Sequence, residues 1–258
     1  LILHTSGTTS RPKQVQLSSV NIISSALNIA RVLQLEQKDK GMNIMPLFHI
    51  HGLIASLLSS IVTGSSVVCT SGFNALTFYG NIKNFKPTWI TAVPTMYQAI
   101  LSRASRNKEI IQASNLRLLR SSSAAMPVAT IEALENAFQC PVIEAYGMTE
   151  ASHQMASNFL DSIRKPGSVG KSAGPEIALF RDDKLITVAN TEGEIVIRGS
   201  NVTKGYKNND KANKENFFDG WFKTGDLGKF DEDGFLFISG RIKEIINKQP
   251  KIDILINN

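Results

Sequence analysis

The first 150 residues alternate short apolar runs with longer segments of helical periodicity. The apolar runs predict strands at 1–3, 42–45, 67–70, 88–93, 116–121 and 142–145. Predicted helices fill the intervals at 52–62, 75–85, after 94 and at 127–138. Repeated strand–helix units predict an α/β fold with a mostly parallel sheet and helices on both faces.

A further helix is predicted after the first strand and the loop that follows it. Ser18 or Ser19 is available as its N-cap. Apolar residues recur at helical spacing and predict the buried face of this helix: Ile23, Ala26, Leu27, Ala30 and Leu33.

The pattern changes near residue 165. Short alternating runs at 176–180, 194–198, 227–230 and 235–239 are separated by turn sequences at 190–193 and 231–234. These runs predict a small antiparallel β subdomain. The predicted organisation is an α/β part at 1–164, a β-rich subdomain at 165–240, and a final segment at 241–258.

Composition narrows the class of partner. The chain has 258 residues, 42% hydrophobic content and a net charge of +6 with its basic residues dispersed. This balance suits anionic small molecules and does not favour nucleic acid, because no basic stripe with interleaved aromatics is present. No apolar run reaches the roughly 20 residues of a membrane span. Cys69 and Cys140 lie far apart in apolar segments, which predicts reduced core thiols in a reducing compartment.

The first fifteen residues have the composition of a phosphate-binding loop. Hydroxyl side chains surround Gly7, and Lys13 supplies a compact positive charge. The loop does not match a Walker motif, because Pro12 and Gln14 stand where that motif has its second glycine and its metal-binding hydroxyl. The alternative is an ordinary turn rich in serine and threonine.

Two stretches that follow predicted strands have room for a ligand. The segment 46–52 carries two imidazoles at a strand end, but no third metal ligand accompanies them, so a metal site is rejected. The segment 121–127 consists of small residues, as expected where a flat ring or an acyl group packs against backbone. A tight strand-to-helix turn explains the second stretch equally well.

The segment 144–150 combines an aromatic face, a hydroxyl and a carboxylate. Tyr146 offers a stacking surface for adenine, Thr149 a phosphate donor, and Glu150 a ligand for Mg²⁺. A capped helix start is the alternative. Asp226 is predicted to lie in a tight turn suited to binding both hydroxyls of a ribose, and Arg241 follows the last β segment.

The order and separation of these stretches resemble the adenylate-forming (AMP-binding) superfamily of acyl-CoA synthetases. The resemblance runs from residue 1 to about Asn247 and is carried by TSGTTSRPK, PLFHIHG, EAYGMTE, GEIVIRGSNVTKGY, WFKTGDLG and GRIKEIIN. Within the superfamily the chain resembles the 4-coumarate–CoA-ligase-like branch, and in particular the peroxisomal oxalate–CoA ligases, through FHIHG, EASHQMASN and NVTKGYKNN.

The resemblance implies ATP, Mg²⁺ and coenzyme A as ligands, a carboxylic acid as substrate, and a cytoplasmic or peroxisomal location. It implies phosphate binding by Thr5, Ser6, Gly7, Thr8, Thr9 and Lys13 with help from Thr149, and Mg²⁺ binding by Glu150. Adenine would lie between Tyr146 and the pair Ala124 and Ala125, and ribose would bind Asp226 and Arg241. His49 would stand between the acyl site and the CoA tunnel, Lys243 would be a hinge, and Ser122 and His153 would face a small dicarboxylate.

The chain departs from the family pattern at three places. Gln14 and Ser10 each replace a common glycine in the phosphate loop, and the Gly-Gly-Glu motif expected after Asn247 is absent. The change at Ser10 is shared with the oxalate-type relatives, so it carries little weight. We therefore expect this chain to be the middle portion of a longer acid–CoA ligase. The alternative is a truncated, inactive relic that at most binds nucleotide. A peptide-synthetase adenylation domain fits less well, because no aspartate for an amino group is found near Met96.

Overall fold

Strands and helices alternate through the first half of the chain, and strands dominate the second half. A computed structural model describes residues 1–5, 12–186 and 188–244. The strands are β1 (Ile2–His4), β2 (Gln14–Gln16), β3 (Lys40–Asn43), β4 (Ser66–Cys69), β5 (Trp89–Ala92), β6 (Leu118–Ser121), β7 (Val142–Met148), β8 (His153–Ser157), β9 (Lys171–Ser172), β10 (Glu176–Arg181), β11 (Lys184–Ile186), β12 (Gly193–Arg198), β13 (Phe217–Phe218), β14 (Trp221–Phe230) and β15 (Leu236–Arg241). The α-helices are α1 (Ser19–Val32), α2 (Ser59–Ile61), α3 (Phe78–Phe85), α4 (Pro94–Leu101), α5 (Lys108–Gln112), α6 (Val128–Phe138) and α7 (Asp210–Asn216).

A seven-stranded sheet has the order β4-β3-β5-β6-β7-β8-β9. Its first five strands are parallel, and β8 and β9 run antiparallel to their neighbours. The predicted mostly parallel α/β sheet is therefore confirmed. Because the carboxyl ends of β3, β5, β6 and β7 lie along one edge, the loops that follow these strands meet there.

Both faces of this sheet are buried. Neighbouring residues of one strand enter different apolar clusters, as Trp89 and Ile90 do in β5 and Leu118 and Leu119 do in β6. One cluster includes residues of α1, and the other includes residues of α3, α4 and α6. A central strand buried on both sides reads as a continuous apolar run, which is why the sequence identified these strands.

The second sheet is antiparallel and has the order β11-β10-β12-β14-β13, with β15 paired to β14. Its residues Leu179, Ile195 and Phe222 join the apolar cluster that contains α1. The predicted tight turn around Asp226 is wrong, because Trp221–Phe230 forms one ten-residue strand. Gly225 has a φ of 76° and lies where the pairing register between β12 and β14 shifts, which gave the sequence the appearance of a turn.

The buried face of helix α1 agrees only in part with the face predicted. Ala26, Ala30 and Leu33 are buried as expected, but Ile23 and Leu27 are each 51% exposed. The buried stripe is partly polar: the Asn21 amide donates to the carbonyls of Ser200 at 2.7 Å and Val202 at 2.9 Å. A search for apolar residues at helical spacing cannot identify a buried helix face that contains a hydrogen-bonded asparagine. The cap at Ser18 is confirmed, with reciprocal bonds between Ser18 and Asn21.

The helix predicted at 52–62 is a π-helix over His51–Leu58 followed by α2. Its start packs tightly against the preceding strand end, since a Cβ on Gly52 would lie 2.3 Å from the carbonyl oxygen of Pro46. Only glycine permits this approach. Wide helical turns of this kind are frequent at functional sites.

The two cysteines differ from the prediction of two core thiols. Cys140 is buried, but Cys69 is exposed at the end of an edge strand. Both are free thiols. Within residues 1–5, 12–186 and 188–244, no helix is long and apolar enough to cross a membrane.

Candidate functional site

A cavity of about 480 Å³ lies where the loops after the parallel strands meet the second sheet. The first sheet contributes His49 after β3, Val93 after β5, Ser123 after β6 and the segment 147–150 at the end of β7. The second sheet contributes residues 223–225 and Arg241. The cavity therefore occupies the position at which ligands bind in open α/β sheets.

The hairpin of β1 and β2 presents Thr5 and Lys13 to this cavity. The Thr5 N–H donates to the Lys13 carbonyl at 3.0 Å, and the Lys13 N–H donates to Thr5 Oγ1 at 3.2 Å. The Lys13 ammonium stands 4.6 Å from the centre of the Tyr206 ring, within cation–π range. Four residues predicted to bind phosphate lie outside the described residues: Ser6, Gly7, Thr8 and Thr9.

Thr149 and Glu150 line the cavity from a short 3₁₀ turn after β7. The Glu150 side chain is 6% exposed, and its Oε1 accepts a 2.7 Å hydrogen bond from the Tyr206 hydroxyl. Burial raises the pKa of Glu150, and the Tyr206 hydrogen bond and the Lys13 charge act in the opposite direction. Tyr206 was not predicted as a site residue.

This environment suits Mg²⁺ shared between the protein and a bound phosphate. Mg²⁺ is commonly held by one or two carboxylates together with phosphate oxygens, and Glu150 supplies one buried carboxylate beside a lysine that can bind phosphate. No group of three or more potential metal-ligating side chains occurs in the part of the chain that the structure describes. A metal held by protein side chains alone does not fit this site.

Tyr146, Asp226 and Arg241 form a chain of contacts beside the cavity. The Tyr146 hydroxyl donates to Asp226 Oδ2 at 2.5 Å, and Arg241 Nε donates to Asp226 Oδ1 at 2.8 Å. Burial, followed by the Asp226 charge, raises the pKa of Tyr146 well above its usual value, so its hydroxyl stays protonated. Of the three residues, only Arg241 lines the cavity.

The remaining predicted residues divide into two groups. His49 and Lys243 are exposed and line the cavity, and the His49 ring lies 4.6 Å from the ring of Phe48. Ala124 and Ala125 are exposed in the loop after β6 but do not line the cavity. Ser122 is 1% exposed and also does not line it. The neighbouring Ser123 does.

His153 lines the cavity although its side chain is only 1% exposed. Its backbone has a φ of 93°, which is strained for a residue with a side chain. The turn fits because Gly147 lies against it: a Cβ at Gly147 would be 1.7 Å from the His153 carbonyl oxygen. The His51 ring lies 4.9 Å from the His153 ring and also lines the cavity.

Sequence reasoning did not identify several polar residues around these histidines. Thr91 and Arg120 are fully buried in β5 and β6, and both bond within this group. Gln154 in β8 is fully buried as well. Arg120 could have been recognised from the sequence, because it is a cation inside an otherwise apolar predicted strand. Buried charges are rare and costly without partners, so such a residue indicates a buried polar cluster.

Comparison with known proteins supports the same family as the motifs. The profile of a family described as AMP-binding enzyme matches residues 1–207. An oxalate–CoA ligase of Arabidopsis thaliana is 50% identical over 252 residues, covering 96% of this chain and 49% of that protein. An oxalate–CoA ligase of Saccharomyces cerevisiae is 47% identical over 251 residues, with coverage of 96% and 46%.

Comparison with solved structures supports the same family. The o-succinylbenzoate–CoA synthetase MenE of Bacillus subtilis, in complex with ATP and magnesium ion, superposes with a TM-score of 0.84 at 35% identity, covering 94% of this chain and 50% of that one. ATP-bound MatB from Rhodopseudomonas palustris superposes with a TM-score of 0.86 at 32% identity, covering 93% and 47%. The chain spans about half the length of these relatives. The family match covers residues 1–207, which is most of the chain and includes the loops after the parallel strands that line the cavity, so this chain belongs to the AMP-binding enzyme family.

Proposed function

We propose that this chain is the nucleotide- and acyl-binding portion of an ATP-dependent carboxylic acid–CoA ligase that works through an acyl-adenylate. One observation carries the proposal. Predicted site residues from separate stretches of sequence line one cavity: Thr5, Lys13, His49, Thr149, Glu150, His153, Arg241 and Lys243. A set of unrelated turns would not be expected to converge in this way.

The chemistry follows from the charges around the cavity. Lys13 and Thr149 would bind the phosphates of ATP, and Glu150 would hold Mg²⁺, which would supply positive charge beside the phosphate oxygens. A substrate carboxylate oxygen attacks the α-phosphorus in line, pyrophosphate leaves, and an acyl-adenylate forms. The thiolate of CoA then attacks the acyl carbon and AMP departs. Both steps develop negative charge on oxygen, so fixed cations and hydrogen-bond donors contribute more than a general base.

The nucleoside would bind beside the phosphate site. Asp226 and Arg241 bind the ribose hydroxyls, while Tyr146 stacks on adenine and is held by its bond to Asp226. Ala124 and Ala125 would cover the other face of the base.

His49, at the exposed side of the cavity, would separate the acyl site from the CoA tunnel. Lys243 would serve as a hinge for a C-terminal domain. A cytoplasmic or peroxisomal location is part of the same proposal.

Oxalate is the proposed acid. The support is the identity to two oxalate–CoA ligases and the buried polar wall formed around His51 and His153. Ser122 was predicted to face the acid, but its buried side chain makes Ser123 the better candidate for that contact. A second candidate function is nucleotide binding without catalysis, because the Gly-Gly-Glu motif of the family is absent after Asn247.

The test uses calorimetric titration of this chain with ATP and Mg²⁺ and, separately, with AMP. Lys13→Ala should weaken ATP binding about tenfold or more, the loss expected for a charge-assisted contact, and should leave AMP binding nearly unchanged. Lys184→Ala removes an exposed lysine of β11 and should change neither. If Lys13→Ala leaves ATP affinity unchanged, the phosphate site is misassigned.

Catalysis is tested separately in the full-length protein. Oxalate-dependent release of pyrophosphate, followed by CoA-dependent release of AMP, is expected. Binding of ATP without release of pyrophosphate for any small acid would favour the noncatalytic alternative.

A further inference from the structure

Arg120 is a fully buried cation in the centre of the sheet. Its side chain has 0% exposure in β6, and no ion pair joins it to a carboxylate in the part of the chain that the structure describes. Burial lowers its pKa from 12.5 to about 10, which leaves it charged at neutral pH. A buried charge without a counterion is costly, so the contacts that it makes instead are informative.

The first contact leads to His51. Arg120 Nη1 donates to Thr91 Oγ1 at 3.3 Å, and His51 Nε2 lies 2.7 Å from the same oxygen. Arginine can only donate, so the single Thr91 proton is left to donate elsewhere. Among the described residues, His51 Nε2 is the acceptor within reach. His51 Nε2 is therefore unprotonated, and its proton resides on Nδ1.

The His51 proton in turn orients the serine at the cavity wall. His51 Nδ1 lies 3.0 Å from Ser123 Oγ, so its N–H donates to that oxygen. The Ser123 hydroxyl proton is then free to point to the cavity that Ser123 lines. Ser123 has a φ of 74°, a backbone conformation that is uncommon for a residue with a side chain and is often found at functional sites.

The second contact leads to His153. Arg120 Nη2 donates to Gln154 Oε1 at 2.8 Å and faces His153 Nδ1 at 3.5 Å. A cationic donor beside Nδ1 favours the tautomer in which Nδ1 accepts and Nε2 carries the proton. His153 Nε2 is buried and has no hydrogen-bond partner among the described residues, and His153 is one of the residues that line the cavity. This buried N–H is left to bind a ligand.

We propose that Arg120 is a positioning residue that holds His51 and His153 in opposite neutral tautomers, so that the buried cavity wall presents the Ser123 hydroxyl and the His153 Nε2–H as donors to a second carboxylate of the substrate. The inference rests on the proposed function for its substrate and on the hydrogen bonds alone for the tautomers. The Ser123 hydroxyl and the His153 Nε2–H are unpaired donors close to the Arg120 cation, so this wall should bind a carboxylate more tightly than a methyl group.

The electrostatics agree with this arrangement. Burial, and then the charge of Arg120, lower the pKa of His51 and of His153 well below 6.5, so both rings are neutral near pH 7. His49 contributes a further small lowering at His51. Neutral rings are required, because a doubly protonated imidazole could not accept from Thr91 or Arg120.

The tautomers are read directly by ¹⁵N NMR of the full chain labelled at histidine nitrogens. The expected spectrum at pH 7 shows a proton on Nδ1 of His51 and on Nε2 of His153. A proton on Nδ1 of His153, or a doubly protonated ring at either site, would overturn the proposal. This measurement needs no variant and no enzymatic activity.

Three variants test whether Arg120 determines the tautomers of the two histidines. Arg120→Met should mix the tautomers of both histidines and raise their pKa values, whereas Thr91→Val should mix only that of His51. The matched control is Arg117→Met, which removes an arginine paired with Asp39 just before β6 and should leave both tautomers unchanged. Unchanged tautomers in a folded Arg120→Met or Thr91→Val protein would refute the mechanism. If Arg120→Met does not fold, Thr91→Val decides.

Substrate selection is measured in the full-length protein as the ratio of kcat/KM for oxalate to that for acetate. Thr91→Val and Arg120→Met should each lower this ratio about tenfold or more, and Arg117→Met should not. An equal loss for both acids would refute the selectivity role. If the unmodified full-length protein activates no acid, the proposed function fails, and the NMR result still decides whether Arg120 sets the tautomers.

Discussion

The contact between Tyr146 and Asp226 gives the sharpest quantitative prediction. Asp226→Ala removes the acceptor of the Tyr146 hydroxyl, in a residue that is only 9% exposed, and an unsatisfied buried hydroxyl costs about 1–3 kcal/mol. The same change frees Arg241, whose side chain is 54% exposed, so the loss of that ion pair adds about 0–1 kcal/mol. We expect the free energy of unfolding to fall by about 1–4 kcal/mol.

A double-mutant cycle isolates the hydrogen bond. Tyr146→Phe removes the donor and leaves the carboxylate paired with Arg241, while the double variant leaves no unsatisfied hydroxyl. The double variant should therefore cost less than the sum of the single variants by about 1.5–3 kcal/mol, the range for hydrogen bonds to charged groups. Urea unfolding monitored by circular dichroism measures all four proteins.

The control is Arg241→Ala, which should cost no more than about 1 kcal/mol because the side chain is half exposed. A coupling energy below about 0.5 kcal/mol, or a loss in Arg241→Ala equal to that in Asp226→Ala, would refute this reasoning. The same proteins titrated with AMP test the ribose site. Asp226→Ala should weaken binding by about 1–3 kcal/mol, and Tyr146→Phe should weaken it less because the carboxylate remains.

Three further predictions concern the site and its surroundings. Tyr206→Phe removes the donor to Glu150 and should raise the pKa of that carboxyl further, so calorimetry should show about tenfold weaker binding of ATP with Mg²⁺ and little change for AMP. Burial raises the pKa of Glu144 from 4.5 to about 7, so the stability that this group contributes is complete below pH 4.5 and is lost as the pH rises to about 7. Glu144→Gln should abolish that dependence and raise the unfolding free energy by up to about 3 kcal/mol near pH 8, as measured by urea titration across pH. Gly147→Ala places a Cβ 1.7 Å from a backbone oxygen and should lower thermal stability sharply, whereas Gly80→Ala in α3 meets nothing within 4 Å and should be neutral or stabilising; equal melting temperatures would contradict the packing argument.

The sequence by itself determined the alternation of strands and helices. Central strands such as β5 and β6 are buried on both faces, so their apolar runs identify them without tertiary information. The family motifs implied that Lys13 and Glu150 would both lie at the phosphates and Mg²⁺ of ATP, and both residues line the cavity. These inferences succeeded where local pattern and global fold agree.

Only the tertiary structure shows which face of a helix or strand is buried when that face contains hydrogen-bonded polar side chains. The predicted face of α1 was partly wrong because Asn21 is buried through hydrogen bonds to residues 179 and 181 positions away in the chain, which leave no signal in the local sequence. Asp226 was misplaced in a turn because the glycine beside it, Gly225, is typical of turns, and only the pairing with β12 and β15 shows that the strand continues through it.

The arrangement around Arg120 also required the tertiary structure. Its sequence neighbours indicate only an apolar strand, and its partners Thr91, His51 and His153 come from three other elements. The sequence determines which hydrogen-bond donors and acceptors the chain has, because each residue type carries a defined set of them. Which donor meets which acceptor depends on the sheet order, and at this cavity that pairing determines where two histidines carry their protons.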